Sequence, residues 1–124
     1  MAARATVLIC DDDERLRELM CVTLEPSYDC VEAADADAAL ELFRSAHPAI
    51  ALLDVMLPGK SGIDLLREVR ADPALASTPV IVVSAWTREA DRTAASEAGA
   101  DAFLGKPFDI DLLRSMVDDL LAKR

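Results

Sequence analysis

Five short apolar runs punctuate the chain, each followed by a stretch whose apolar residues recur at helical spacing, and this alternation limits the possible folds more than any other feature. The runs are Thr6–Cys10 and residues 30–33, 49–53, 79–83 and 102–104, rich in Val, Ile, Leu and Ala and too short to be helices. Leu16, Leu19, Met20, Thr23 and Leu24 mark one face of a first helix, and Ala39, Leu40, Leu42 and Phe43 one face of a second. Ile63, Leu65, Leu66 and Val69 mark a third helix starting near Ser61, an Ala-rich fourth covers residues 88–98 and is closed by Gly99, and residues 110–121 form a fifth. Strict strand–helix alternation implies parallel pairing through right-handed crossovers, with helices covering both faces. The expected fold is therefore α/β and doubly wound, a five-stranded parallel sheet. Turns such as residues 58–62 are only a few residues long, so residues 1–124 are expected to form one domain.

Composition narrows what such a domain can meet. An apolar fraction of 52% carried by aliphatic residues, with 4% aromatics, suits a layered globular core. Thirteen basic against 23 acidic residues leave a net charge of −10, which repels nucleic acid and anionic lipid and favours a metal cation or a basic protein surface. Cys10, Cys21 and Cys30 are odd in number and lack the close spacing of a zinc or redox pair, so they are expected to be reduced and structural. The first five residues hold no apolar run of signal-peptide length, and no stretch reaches the roughly 18 apolar residues of a membrane span; the cytoplasm is the expected compartment.

In open α/β sheets, ligands bind beyond the carboxyl ends of the strands, near the point where strand order reverses. The first strand ends in Asp11, Asp12, Asp13 and Glu14, the third in Asp54 and the fourth in Ser84, and the fifth runs into Lys106 and Pro107. Asp13 and Glu14 suit the first turn of a helix, where carboxylates cap free N–H groups and meet the positive end of the helix dipole. Asp11 and Asp12 beside Asp54 would repel one another unless a cation joined them. Mg²⁺ keeps several waters and uses one or two carboxylates plus a phosphate oxygen, which fits so sparse a set of ligands better than Ca²⁺ would. Lys106, held before a proline, can reach an anion lying over Asp54; the bland alternative is a solvated lysine. Ser84 either caps the following turn or aims its hydroxyl at that anion. A carboxylate nucleophile ringed by a metal, a lysine and a hydroxyl is equipped to form an acyl phosphate.

Four stretches in order, Val7-Leu8-Ile9-Cys10-Asp11-Asp12-Asp13, Leu52-Leu53-Asp54-Val55-Met56-Leu57-Pro58-Gly59-Lys60-Ser61-Gly62, Val83-Ser84-Ala85 and Phe103-Leu104-Gly105-Lys106-Pro107-Phe108, resemble the receiver domain of bacterial two-component response regulators. Any one of them alone is weak; together they cover almost the whole chain. The resemblance implies a flavodoxin-like fold and Asp54 as phosphoacceptor. It implies Asp12 as a direct Mg²⁺ ligand, Asp11 as a ligand mainly through water, and the carbonyl of Met56 as a further ligand beside Asp54. Lys106 would pair with the phosphoryl oxygens, Ser84 would move to bond them, the Lys106–Pro107 peptide would be cis, and Phe103 would turn inward with Ser84. The domain would assist its own phosphorylation and dephosphorylation without being an enzyme in its own right. Its partners would be a histidine kinase or phosphotransfer protein and a downstream protein target, with no nucleic acid and no membrane, the chain being a monomer or weak dimer. The face built from residues 88–98, 102–104 and 109–121 is the expected exit for the signal, by protein contact if the chain is the natural length. Trp86, bulky for the loop rimming the site, would slow self-dephosphorylation or simply cover apolar surface.

Two alternatives compete. Asp11-x-Asp13 after an apolar strand also resembles a haloacid-dehalogenase-like phosphatase, although that family needs a later acidic pair for its metal, and Asp118-Asp119 lies inside an amphipathic helix. A degenerate receiver serving only as a binding module is opposed by the presence of Asp11, Asp12, Asp54, Ser84 and Lys106 together.

Overall fold

A computed structural model describes residues 4–123; residues 1–3, part of the segment inspected for a leader, and residue 124, the last of the expected domain, lie outside the described residues. Elements alternate without exception: β1 (Thr6–Cys10), α1 (Glu14–Leu24), β2 (Asp29–Ala33), α2 (Ala36–Ala46), β3 (Ile50–Asp54), α3 (Gly62–Ala71), β4 (Val80–Ser84), α4 (Glu89–Glu97), β5 (Ala102–Gly105) and α5 (Ile110–Ala122). The five strands pair in parallel in the order β2-β1-β3-β4-β5. Strand order reverses between β1 and β3, which opens a crevice beyond their carboxyl ends.

Strand periodicity divides the core into two layers. Leu8, Cys10, Ala51, Leu53, Val80 and Val82 face α2, α3 and α4, where Ala39, Phe43, Leu65, Leu66, Val69 and Ala95 meet them. Val7, Ile9, Ile50, Leu52, Ile81 and Val83 face α1 and α5, packing on Met20, Cys21, Leu24, Leu113 and Val117. The central strands β3 and β4 are buried along their whole length, as apolar strands covered on both faces must be.

Two differences from the sequence reading have a common cause. Strands β3 and β4 were expected to stop at Leu53 and Val83, yet Asp54 pairs with Val83 and Ser84 with Gly105. Ladder pairing depends on the backbone and ignores side-chain polarity, so it carries one residue past the apolar run and into the site. Leu19, counted on the apolar face of α1, stands 44% exposed while Met20 and Leu24 are buried, so the stripe is narrower than its spacing implied. Helix starts follow their caps: Asp13 accepts from the Arg15 and Leu16 N–H groups, Asp35 from Ala38, Ser61 from Asp64 and Asp109 from Asp111. Gly99 takes φ 107°, the left-handed conformation that closes α4.

Candidate functional site

Asp11 and Asp54 leave the carboxyl ends of β1 and β3, the two strands flanking the crevice, and Asp12 follows Asp11 in the loop. Asp11 is 1% and Asp54 5% exposed, while Asp12 lies open to solvent. One carboxylate oxygen from each of the three falls within 4.8 Å of the others. Lys106, after β5, bridges the buried pair: its Nζ donates to Asp11 Oδ2 at 2.9 Å and to Asp54 Oδ2 at 3.1 Å. The Lys106–Pro107 peptide is cis.

Backbone groups complete the frame. The Met56 N–H donates to Asp54 Oδ1 at 3.1 Å and the Asp13 N–H to Asp11 Oδ1 at 2.8 Å. The Met56 side chain itself is half exposed. A Cβ on Gly62 would stand 2.0 Å from the Asp54 carbonyl oxygen, and the Gly62 N–H donates to the Val55 carbonyl at 2.9 Å. Only glycine lets the start of α3 come so close, and that approach holds the end of β3 in place.

Two buried carboxylates share one partly buried ammonium, and the electrostatics show the imbalance. Burial, then the Asp11 charge, pushes the Asp54 carboxyl above the ordinary carboxylate range, although the Met56 N–H and Lys106 pull the other way. Burial works against the Lys106 charge, but hydrogen bonds and attraction from Asp11 and Asp54 outweigh it and raise its pKa. An added divalent cation would relieve this excess negative charge, and oxygen-only donors suit a hard one. The acidic cluster is the part of the expected ligand set on which such an ion could bear.

The remaining candidates are arranged as follows. Ser84 is 1% exposed, and its Oγ accepts from the Trp86 N–H at 3.0 Å, which ties its oxygen to its own loop. Trp86 is 49% exposed and, with Asp12, Val55, Met56, Leu57 and Pro58, borders a cleft of about 560 Å³ beside the carboxylates. Asp13, the second aspartate of the phosphatase alternative, is occupied in capping α1 and stands outside the clustered carboxylates. Asp118, from that alternative's late acidic pair, accepts from the Tyr28 hydroxyl at the far side of α5. Phe103 is partly buried beneath Arg92, whose guanidinium carbon lies 4.6 Å from the ring centroid.

Sequence inspection missed Arg17, whose Nη1 donates to the Asp11 carbonyl at 2.7 Å while its Nε reaches Glu32 at 3.0 Å. An arginine on an amphipathic helix carries no mark that distinguishes this role from a solvated one. Gly62 was quoted only as part of a motif; its position directly after an N-cap serine was the available signal.

Parallel order, a crevice at the strand switch point and a lysine-bridged carboxylate cluster define an α/β phosphate-handling module. The model of the response regulator receiver domain family matches residues 7–118, and the chain belongs to that family. It is 38% identical to the phosphate regulon transcriptional regulatory protein PhoB of Pseudomonas aeruginosa over 83% of this chain and 45% of that protein. It is 40% identical to the transcriptional regulatory protein CseB of Streptomyces coelicolor over 99% of this chain and 52% of that protein. A solved putative response regulator from Chloroflexus aurantiacus superposes with a TM-score of 0.92 at 32% identity, over 97% of this chain and 99% of that one. The chain spans about half the length of the curated relatives it matches.

Proposed function

We propose that this receiver domain accepts a phosphoryl group on Asp54 from the phosphohistidine of a kinase or phosphotransfer protein. The observation that carries the reading is the Asp54 carboxylate held between the Met56 N–H and the Lys106 ammonium at the strand switch point. An Asp54 oxygen attacks phosphorus, the P–N bond to the donor histidine breaks, and an acyl phosphate forms. Lys106 keeps Asp54 oriented before transfer and turns to the new phosphoryl oxygens afterwards, since it already sits within 3.1 Å of the nucleophile. Asp11, Asp12, Asp54 and the Met56 carbonyl would hold Mg²⁺, which supplies charge neutralisation for the transferring group. Ser84 Oγ accepts from the Trp86 N–H through a lone pair, so its hydroxyl proton stays free to donate to the phosphoryl group, and a movement of Ser84 toward that group would carry the loop after β4 with it.

The signal would leave through the face of α4, β5 and α5 to a protein target, with no contact to nucleic acid or membrane by this domain. Among the described residues, no helix is long and apolar enough to cross a membrane. The proposed compartment is the cytoplasm, in keeping with three free cysteines, and residues 1–124 act as one unit. Within this reading the domain promotes its own phosphorylation and dephosphorylation and has no other substrate.

Fluorescence of Trp86, the sole tryptophan, tests this directly. A saturable response to Mg²⁺ followed by a response to beryllofluoride that disappears in Asp54→Asn is the expected result. A beryllofluoride response that persists in Asp54→Asn but is lost in Asp11→Asn would move the nucleophile to Asp11 and overturn it.

A further inference from the structure

Arg17, which the phosphoryl chemistry does not use, joins three elements beside the acidic cluster. From α1 its Nη1 donates to the Asp11 carbonyl, just past β1, at 2.7 Å, and its Nε donates to Glu32 Oε1 of β2 at 3.0 Å. Glu32 stands in register with Ile9, which packs toward α1, so its carboxylate emerges on the face that α1 covers. The Arg17 side chain is 16% exposed, and its bond to the carbonyl is charge-assisted. A planar guanidinium can serve two fixed acceptors at once, which a lysine ammonium is poorly shaped to do. The bond holds the peptide between Asp11 and Asp12. The other polar groups of Asp11 are engaged elsewhere: its N–H donates to the Ala33 carbonyl at 3.1 Å, Oδ1 accepts from the Asp13 N–H at 2.8 Å, and Oδ2 accepts from Lys106 at 2.9 Å. The carbonyl belongs to the next peptide plane, and because that plane is rigid, aiming the carbonyl also aims the chain into Asp12. Asp12 is exposed, yet one of its carboxylate oxygens lies within 4.8 Å of those from Asp11 and Asp54. A solvent-exposed aspartate in a loop depends on its backbone for such a placement.

We propose that Arg17 is a positioning residue for the cation site, fixing the Asp11–Asp12 peptide so that the carboxylates of Asp11, Asp12 and Asp54 converge on one Mg²⁺. The inference rests on the reading of that cluster as the Mg²⁺ site. Arg17 acts on the ion in two opposed ways. Its positive charge, placed against the Asp11 backbone, repels a divalent cation and lowers affinity. Its hydrogen bond holds the ligands in place and raises affinity. The second effect is the larger, because hydrogen-bond partners that orient metal ligands typically account for about 10–100-fold in affinity, whereas a single charge screened by water and salt accounts for much less. Glu32 serves the same end: by holding Nε it offsets part of the guanidinium charge and keeps the side chain from turning into the carboxylate cluster as a competitor of the ion.

Calorimetric titration of metal-depleted protein with Mg²⁺ tests this, with the Tm measured on the same samples. Arg17→Gln is expected to bind Mg²⁺ roughly tenfold more weakly than the parent, although loss of the charge alone would tighten binding. Arg17→Lys keeps the charge and the aliphatic stem but not the fork; it is expected to lose most of the same factor, and it carries the test should Arg17→Gln not fold. Val117→Ala, in the core under α5, should lower the Tm while keeping the parent's Mg²⁺ affinity, which separates positioning from stability. Tighter or unchanged binding in Arg17→Gln, or parent affinity in Arg17→Lys, would overturn the Arg17 role while leaving the cation site standing. Equal weakening in Val117→Ala would overturn it as well, by reducing it to a general loss of stability. A parent that binds no Mg²⁺ would overturn the cation site and the Arg17 role together.

Discussion

Asp54 illustrates how a functional position opposes stability. Its carboxylate is buried beside Asp11, with one ammonium for two negative charges, and its pKa is raised by burial and then by that neighbour. A group whose folded pKa is raised contributes stability that is fully present below its unfolded pKa and lost as pH rises through the folded value. In metal-free protein at neutral pH, Asp54 therefore penalises folding. Asp54→Asn is expected to raise metal-free stability by about 1 kcal/mol in urea titrations, a gain typical of relieving one buried repulsion, while Mg²⁺ stabilises the parent more than the variant. A metal-free Asp54→Asn less stable than the parent would show that Lys106 already balances the charge. At Trp86, half exposed on the rim, Trp86→Ala should change stability by under about 0.5 kcal/mol and speed loss of the phosphoryl group in a chase assay. An unchanged lifetime would leave Trp86 as surface cover.

At the scale of elements, caps and close approaches aim the site. Asp13 starts α1 by accepting two backbone N–H bonds, so Asp13→Ala should cost about 0.5–2 kcal/mol in chemical denaturation while leaving the beryllofluoride response intact. Loss of that response without loss of stability would restore the phosphatase alternative. Gly62→Ala is the sharper test of the start of α3. Its Cβ would meet the Asp54 carbonyl oxygen at 2.0 Å, so β3 and α3 must separate; a loss of roughly 1–3 kcal/mol is expected, together with slower phosphorylation as Asp54 shifts. The starts of helices were legible because Asp13, Ser61 and Asp109 announce them locally. The ends of strands were not: Asp54 and Ser84 extend the ladder because β4 and β5 lie alongside, which no local composition reveals.

Across the whole molecule, the Tyr28 hydroxyl following α1 donates to Asp118 on α5, tying two helices of one layer. Burial, then Asp118, pushes the Tyr28 pKa up to about 12. The stabilising contribution is fully present below the ordinary tyrosine value of about 10 and is lost as pH rises through the folded value. The parent should therefore lose stability between pH 10 and pH 12 more steeply than Tyr28→Phe in thermal melts across that window. Equal slopes would place the alkaline loss on Lys106 and its carboxylates instead.

Strand–helix alternation, the identity of Asp11, Asp12, Asp54, Ser84 and Lys106, and their location after apolar runs were all present in the sequence, because periodicity and turn chemistry are local. Parallel pairing and a site beyond the strand ends followed from general rules of connection. Tertiary structure alone decided which charges meet. Asp11 and Lys106 are 95 positions apart, Arg17 supports the Asp11 backbone from α1, and Cys21 finds Cys30 across a helix and a strand. Such contacts depend on how helices roll onto the sheet, and the roll is set by packing along the whole length of each element. A single residue's neighbours in sequence carry almost no trace of it.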